Sequence, residues 1–215
     1  MKPSARAKIC GVRTAEAVRA AADGGAGFVG FMFFERSPRN IAVHEAARLA
    51  EPVRGRMRIV AVTVDPDDAL VDAIAQGLAP DLIQLHGRET PTRVREVAVR
   101  AGAGVIKALS VSGPEDLAGA AAYAEAADHL MFDAKLPAGS NRPGGGGVRF
   151  DWSILSGRRF ARPWFLAGGL DPWNVAEALG VTGAPLADVS SGVERGPGLK
   201  DPALIRAFLE QVGRA

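Results

Sequence analysis

Eight short runs rich in Val, Ile, Leu and Phe alternate with Ala-rich stretches of helical character along the whole 215-residue chain. No other feature limits the fold as much, because parallel strands need long crossovers and those crossovers are usually helices. Strands are expected at residues 7–10, 27–33, 59–64, 82–85, 104–109, 130–133, 164–167 and 187–190, and helices at 15–23, 43–51, 67–76, 91–100, 114–124, 151–155, 172–179 and 202–211. Helix starts are marked by Thr14, Asp65-Pro66, Thr90-Pro91, Gly113-Pro114, Asp171-Pro172 and Asp201-Pro202, where a capping oxygen satisfies an orphan amide or a first-turn proline removes one. Units of about 27 residues lie near the lower limit for a closed (β/α)8 barrel, whereas a doubly wound sheet usually stops at five or six strands. The expected fold is α/β: a (β/α)8 TIM barrel of near-minimal size, with residues 1–215 forming one catalytic domain. No linker or composition shift divides the chain, so the Gly/Pro-rich segment 137–147 reads as an active-site loop after strand six.

Length and charge remove several function classes. A chain of this size buries roughly 70% of its unfolded surface without staples. Its single cysteine excludes an internal disulfide framework and a multi-cysteine zinc site, and it fits a reducing compartment. The formal charge is +2, with basic residues scattered among acidic ones and not interleaved with aromatics. That is no nucleic-acid signature, and it supports at most a mild preference for an anionic substrate. Met1 to Arg6 leads into a strand pattern without an apolar signal core, and no run of about 18 apolar residues occurs. A soluble cytoplasmic protein is therefore expected, with no membrane or nucleic-acid partner, no metal and no cofactor.

The period of two along a strand places several side chains on the inner face: Lys8 with Cys10, Gln84 with His86, Met131 with Asp133, and Asp188 with Ser190. Each pair ends its strand at the expected mouth, where barrels of this class keep their active sites. A lone cysteine more often packs as a small hydrophobe, and a lone strand-end Asp or His more often caps a loop. Convergence on one rim favours chemistry. Leu166-Ala167-Gly168-Gly169-Leu170 and Ser190-Ser191-Gly192 place small residues after units seven and eight, where such barrels bind phosphate through backbone N–H groups and a helix N-terminus. No Walker or GxGxxG pattern occurs, so no nucleotide is implied.

Lys8-Ile9-Cys10-Gly11, Ser37-Pro38-Arg39, Gln84-Leu85-His86-Gly87, Phe132-Asp133, Gly144-Gly145-Gly146-Gly147 before Phe150-Asp151-Trp152, Ala167-Gly168-Gly169-Leu170, and Asp188-Val189-Ser190-Ser191-Gly192-Val193-Glu194 with Pro197-Gly198 and Lys200-Asp201 follow one another in this order. Together they closely resemble the phosphoribosylanthranilate isomerase family of tryptophan biosynthesis, over the whole chain. The resemblance implies an Amadori rearrangement of N-(5-phosphoribosyl)anthranilate to the 1-deoxyribulose 5-phosphate, with Cys10 as general base and Asp133 as general acid. It implies that Arg39 holds the anthranilate carboxylate and that Gly168, Gly169, Ser191 and Gly192 hold the phosphate. His86 and Gln84 are expected to line the pocket. Asp188 either orients the sugar hydroxyls or organises the eighth loop.

Those residue types suit the chemistry. Ring opening needs a proton on the ribose oxygen, which a carboxylic acid gives if burial keeps it protonated. Removal of the C2′ proton from the resulting Schiff base needs a base on the opposite side, and a thiolate serves if a nearby cation lowers its pKa from ~8.5. Lys8, on the same strand face, is the expected cation. Arg39 suits a planar carboxylate because its fork bonds both oxygens.

Gly146 departs from the pattern, standing where the family commonly has Ser or Thr. The helix at 151–155 is short, and His44 and His129 look like ordinary helix-start and strand-edge residues. A related isomerase of histidine synthesis uses a pair of aspartates, so strand one ending in Cys argues against it, and equally against indole-glycerol-phosphate synthase. A binding protein without turnover would have no use for the acid and the base. Monomer and homodimer both remain open.

Overall fold

The computed structural model describes residues 6–134 and 149–215. Eight parallel strands pair in chain order and close into a barrel: β1 (Arg6–Cys10), β2 (Phe28–Phe33), β3 (Arg58–Thr63), β4 (Leu82–Leu85), β5 (Gly104–Val111), β6 (His129–Ala134), β7 (Trp164–Leu166) and β8 (Leu186–Val189). Closure is made by β1 against β8, with Lys8 opposite Asp188 and Ile9 opposite Val189. Strands covered on both faces should read as continuous apolar runs, and every residue of β2, from Phe28 to Phe33, is buried.

The two faces carry different cores. Phe28, Met32, Val60, Val62, Leu82, Ile106, Met131 and Phe165 fill the barrel. Ile9, Val29, Phe31, Ile59, Ile83 and Leu85 point outward and pack in a separate layer with the buried faces of the surrounding helices. Those helices are α1 (Ala15–Asp23), α2 (Val43–Ala50), α3 (Asp68–Gly77), α4 (Pro91–Ala101), α5 (Val175–Thr182) and α6 (Pro202–Arg214). α6 shows the logic of the amphipathic outer ring: Ile205, Phe208, Leu209 and Val212 recur at helical spacing and are the buried ones. Its start is built as expected, with Pro202 in the first turn and the Asp201 carboxylate accepting from Ala203 N at 2.8 Å. Thr14 and Thr90 cap α1 and α4 in the same way. None of the helices among the described residues is long and apolar enough to cross a membrane.

Four expectations need correction. Residues 114–124 and 151–155 do not form α-helices: Pro114–Tyr123 and Trp152–Leu155 are 3-10 segments. In the first, Gly119 interrupts a run of alanines and only Leu117 and Ala120 are buried, so there is no broad apolar stripe to hold a full helix against the barrel. α3 is capped by Asp67, through Leu70 N at 2.8 Å, and not by Asp65-Pro66. α5 begins at Val175 rather than near Pro172, because the Asp171 side chain accepts from Trp173 N and the Asn174 side chain accepts from Asp171 N, which makes a turn of its own. One element was not expected, an antiparallel pair formed by β9 (Glu194–Gly196) and β10 (Leu199–Lys200) after β8. The loop expected at 137–147, with Gly146, lies outside the described residues.

Candidate active site

The C-terminal ends of the strands surround a cleft with about 520 Å³ of space, its open mouth included. Cys10 from β1, Gln84 and His86 from the end of β4, Asp133 from β6, and Asp188 and Ser190 from the end of β8 line it, so the inner faces read from strand periodicity are the observed ones. Arg39, from the loop after β2, and Gly168, Gly169 and Ser191, from the two glycine turns, complete the lining with Met32, Val62 and Leu170. The remaining expected residue, Gly192, stands just behind. A Cβ there would lie 1.9 Å from the Leu170 carbonyl oxygen, so only glycine lets the turn after β8 approach the turn after β7 this closely. Among the described residues, the amides of Gly168 and Gly169 have no protein acceptor, which leaves them for a ligand. After β8 the chain makes a single 3-10 turn, Ser191–Val193.

The electrostatics around the sulfur differ from the expected single cation. Lys8 is fully buried and donates to Asp188 Oδ1 at 2.7 Å, and its ammonium charge also acts on the Cys10 sulfur two residues along the same strand face. Burial pushes the Cys10 thiol above its ordinary range, the attraction of Lys8 opposes this, and the Asp188 charge adds to the rise. Lys8 therefore pulls in the expected direction but does not bring the net shift below the ordinary value. Burial disfavours the Lys8 charge as well, yet Asp188 and Cys10 outweigh it and hold Lys8 protonated more firmly than usual.

Arg39 also departs from its expected geometry. Its Nε and Nη2 donate to Glu194 Oε1 and Oε2, each at 2.8 Å, so one edge of the fork is already closed on a carboxylate of the chain. Nη1, without a partner among the described residues, remains for a ligand. Gly11, with φ of +74°, makes room for this arginine, since a Cβ there would lie 2.5 Å from Arg39 Cδ. Glu194 is shared: Lys200 Nζ lies 2.7 Å from its Oε1 and 2.8 Å from the Ser190 carbonyl oxygen. Burial works against the Glu194 charge, but Arg39 and Lys200 hold its carboxyl below the usual range. Burial brings Lys200 down to about 8 against the pull of Glu194.

Glu194 and Lys200 sat inside a recognised motif without a role. The signal that could have joined them is Gly196-Pro197-Gly198 between two short segments, a turn cluster that folds a hairpin and places Lys200 beside Glu194. On the opposite rim, His86 Nε2 lies 3.0 Å from Asp133 Oδ2 and Gln84 Nε2 lies 3.0 Å from His86 Nδ1. His129 is not in the cleft. It starts β6 and packs against Phe28 and Phe165 at the other end of the barrel.

A closed barrel of eight parallel strands that gathers titratable side chains from β1, β4, β6 and β8 in one cleft at its C-terminal ends is a (β/α)8-barrel enzyme. A family model described as N-(5'phosphoribosyl)anthranilate (PRA) isomerase matches residues 7–211. The chain is 66% identical over 210 residues to an N-(5'-phosphoribosyl)anthranilate isomerase of Caulobacter vibrioides, covering 97% of this chain and 96% of that one. It is similar to the crystal structure of phosphoribosyl anthranilate isomerase from Thermotoga maritima, with a TM-score of 0.88, 34% identity and coverage of 98% and 100% of the two chains. It is also similar to a crystal structure of a phosphoribosyl anthranilate isomerase in complex with reduced 1-(o-carboxyphenylamino)-1-deoxyribulose 5-phosphate, with a TM-score of 0.85, 32% identity and the same coverage. The chain belongs to the N-(5'-phosphoribosyl)anthranilate isomerase family.

Proposed function

We propose that this chain converts N-(5-phosphoribosyl)anthranilate to 1-(2-carboxyphenylamino)-1-deoxyribulose 5-phosphate, the third step from chorismate in tryptophan biosynthesis, with Asp133 as general acid and Cys10 as general base. The observation that carries the reading is that sulfur and carboxyl, distant in the chain, line one cleft together with both glycine turns. Asp133 protonates the ribose ring oxygen as the anilino nitrogen forms the C1′ Schiff base and the ring opens. The Cys10 thiolate then takes the C2′ proton, giving an enol; a proton returns from Cys10 to C1′ while the C2′ hydroxyl gives up its proton to the Asp133 carboxylate, which leaves the C2′ ketone and restores both groups, with no oxidant or reductant consumed. The base is a thiolate under restraint: Lys8 stabilises the charge that burial and Asp188 oppose.

The amides of Gly168 and Gly169 and the turn at Ser191 and Gly192 bind the phosphate, and Nη1 of Arg39 meets the anthranilate carboxylate while Glu194 holds the other edge of the guanidinium in place. Asp188, already paired with Lys8, turns its second oxygen to the sugar hydroxyls. The reaction requires no cofactor, and residues 1–215 act as one catalytic domain in the cytoplasm. The related enzyme of Thermotoga maritima is described as dimeric, and this chain acts as a monomer or a homodimer.

The test is a coupled assay in which anthranilate and phosphoribosyl pyrophosphate are joined by a transferase and the fluorescence of the adduct is followed after this protein is added. Fluorescence should decay with the wild type. Cys10→Ala and Asp133→Ala should each lose at least about 100-fold in kcat, while still binding a phosphorylated product analogue. Turnover retained in either variant would remove that residue from the mechanism.

A further inference from the structure

We propose that His86 is a positioning residue for the Asp133 carboxyl, locked in one tautomer by Gln84, so that Asp133 keeps Oδ2 as an acceptor and delivers its proton from Oδ1. The inference rests on the acid role given to Asp133 above. Gln84 and His86 lie two residues apart on the inner face of β4 and its end, and Asp133 reaches the same rim from β6. Gln84 is buried, so its amide must find partners within the protein. Its Nε2 lies 3.4 Å from the Met131 sulfur and 3.0 Å from His86 Nδ1. A thioether accepts and never donates, so it selects the amide orientation with nitrogen on that side.

The consequence runs through the ring. An amide nitrogen donates only, so Nδ1 must accept and the imidazole hydrogen must sit on Nε2. That hydrogen points at Asp133 Oδ2, 3.0 Å away. With Oδ2 committed to accepting, the carboxyl proton belongs on Oδ1, the oxygen beside Gly168, where a Cβ would lie 3.0 Å from it. The ring is not free to drift. His86 N donates to the Thr63 carbonyl at 2.9 Å, and the next residue is tied down through Gly87 N to Glu89 and through Lys107 Nζ to the Gly87 carbonyl at 2.8 Å. Gln84 Oε1 is left buried without a partner among the described residues, which is the expected cost of spending the other end of the amide on the ring and the sulfur.

Two measurements decide the matter. The chain has three histidines, so imidazole 15N signals can be assigned by single substitutions in the resting protein. His86 should show the Nε2–H tautomer in the wild type, and Gln84→Met, which cannot donate to Nδ1, should give a mixture of tautomers. In the coupled assay, His86→Ala should lower kcat by about 10- to 100-fold with KM changed less than about threefold, as expected when a hydrogen bond to a reacting carboxyl is lost. His86→Gln, whose amide still donates toward Oδ2, should recover to within about tenfold of wild type. The Nδ1–H tautomer in the wild type, an unchanged kcat in His86→Ala, or equal losses in His86→Ala and His86→Gln would each overturn the proposal. Failure of the wild type to turn over the substrate would instead overturn the function proposed above, and the tautomer would still be read from the resting protein.

Discussion

At the scale of single residues, the site is governed by how neighbouring charges share a small buried volume. Cys10 is influenced by Lys8 and Asp188 with opposite signs, on top of a burial effect larger than either. The thiolate is the charged form, so burial and a nearby carboxylate raise the pH at which it appears, and an ammonium lowers it. As the only cysteine, Cys10 can be titrated by alkylation followed by mass spectrometry. The midpoint should lie above the ordinary value of ~8.5. Lys8→Met should move it higher and Asp188→Asn lower. Identical midpoints in all three proteins would show that these neighbours do not set the reactivity of the sulfur. Lys8, Cys10 and Asp188 could be placed on one face by counting in twos, but the balance of their charges could not, because Asp188 meets Lys8 only when β8 closes on β1.

At the scale of elements, the turn after β4 is held by a device that no sequence pattern announced. Lys107 points outward from β5 and pairs with Glu89 at 2.6 Å, both side chains almost wholly buried. The lysine also donates to the Gly87 and Leu85 carbonyls, and Glu89 accepts from the amides of Asp65 and Gly87, so the pair ties the turns after β3 and β4 to β5. Removing one partner of a buried pair leaves the other charge uncompensated, at about 3–5 kcal/mol. Lys107→Met should therefore destabilise by about that much in urea unfolding. Lys107→Met with Glu89→Gln should recover much of the loss, since the amide oxygen still accepts from the two backbone amides. A double variant as unstable as the single one would mean that the ammonium itself holds the turns. Strand positions were legible because each apolar run is continuous, and helix starts were legible at Thr14, Thr90 and Asp201 because one side chain there meets amides close by in the chain. The 3-10 segments were not, since their form depends on what the barrel wall offers them to pack against, and the β9–β10 pair was marked only by the Gly196-Pro197-Gly198 turn cluster between two very short strands.

For the whole molecule, the closed barrel is what makes a site possible. Phe165 sits inside it, fully buried, with its ring 5.1 Å from that of Phe28 and 5.7 Å from that of His129, so it joins β2, β6 and β7 from the inside. Phe165→Ala should cost about 3–5 kcal/mol through lost contacts and the cavity left behind. Val99→Ser, at a side chain 85% exposed on α4, should stay within about 0.5 kcal/mol. Equal losses in urea unfolding would mean that stability does not reside in the barrel interior. The sequence by itself determined the eightfold alternation, the face each strand turns inward, and the rim residues Cys10, Gln84, His86, Asp133 and Asp188, because periodicity and capping act between near neighbours in the chain. Only the tertiary structure decided which rim residues touch: Lys8 with Asp188, Arg39 with Glu194, and His86 with Asp133. Those pairings join strands and loops far apart in the chain, and a hydrogen bond a few ångströms long exists only once barrel closure has fixed both of its ends in space.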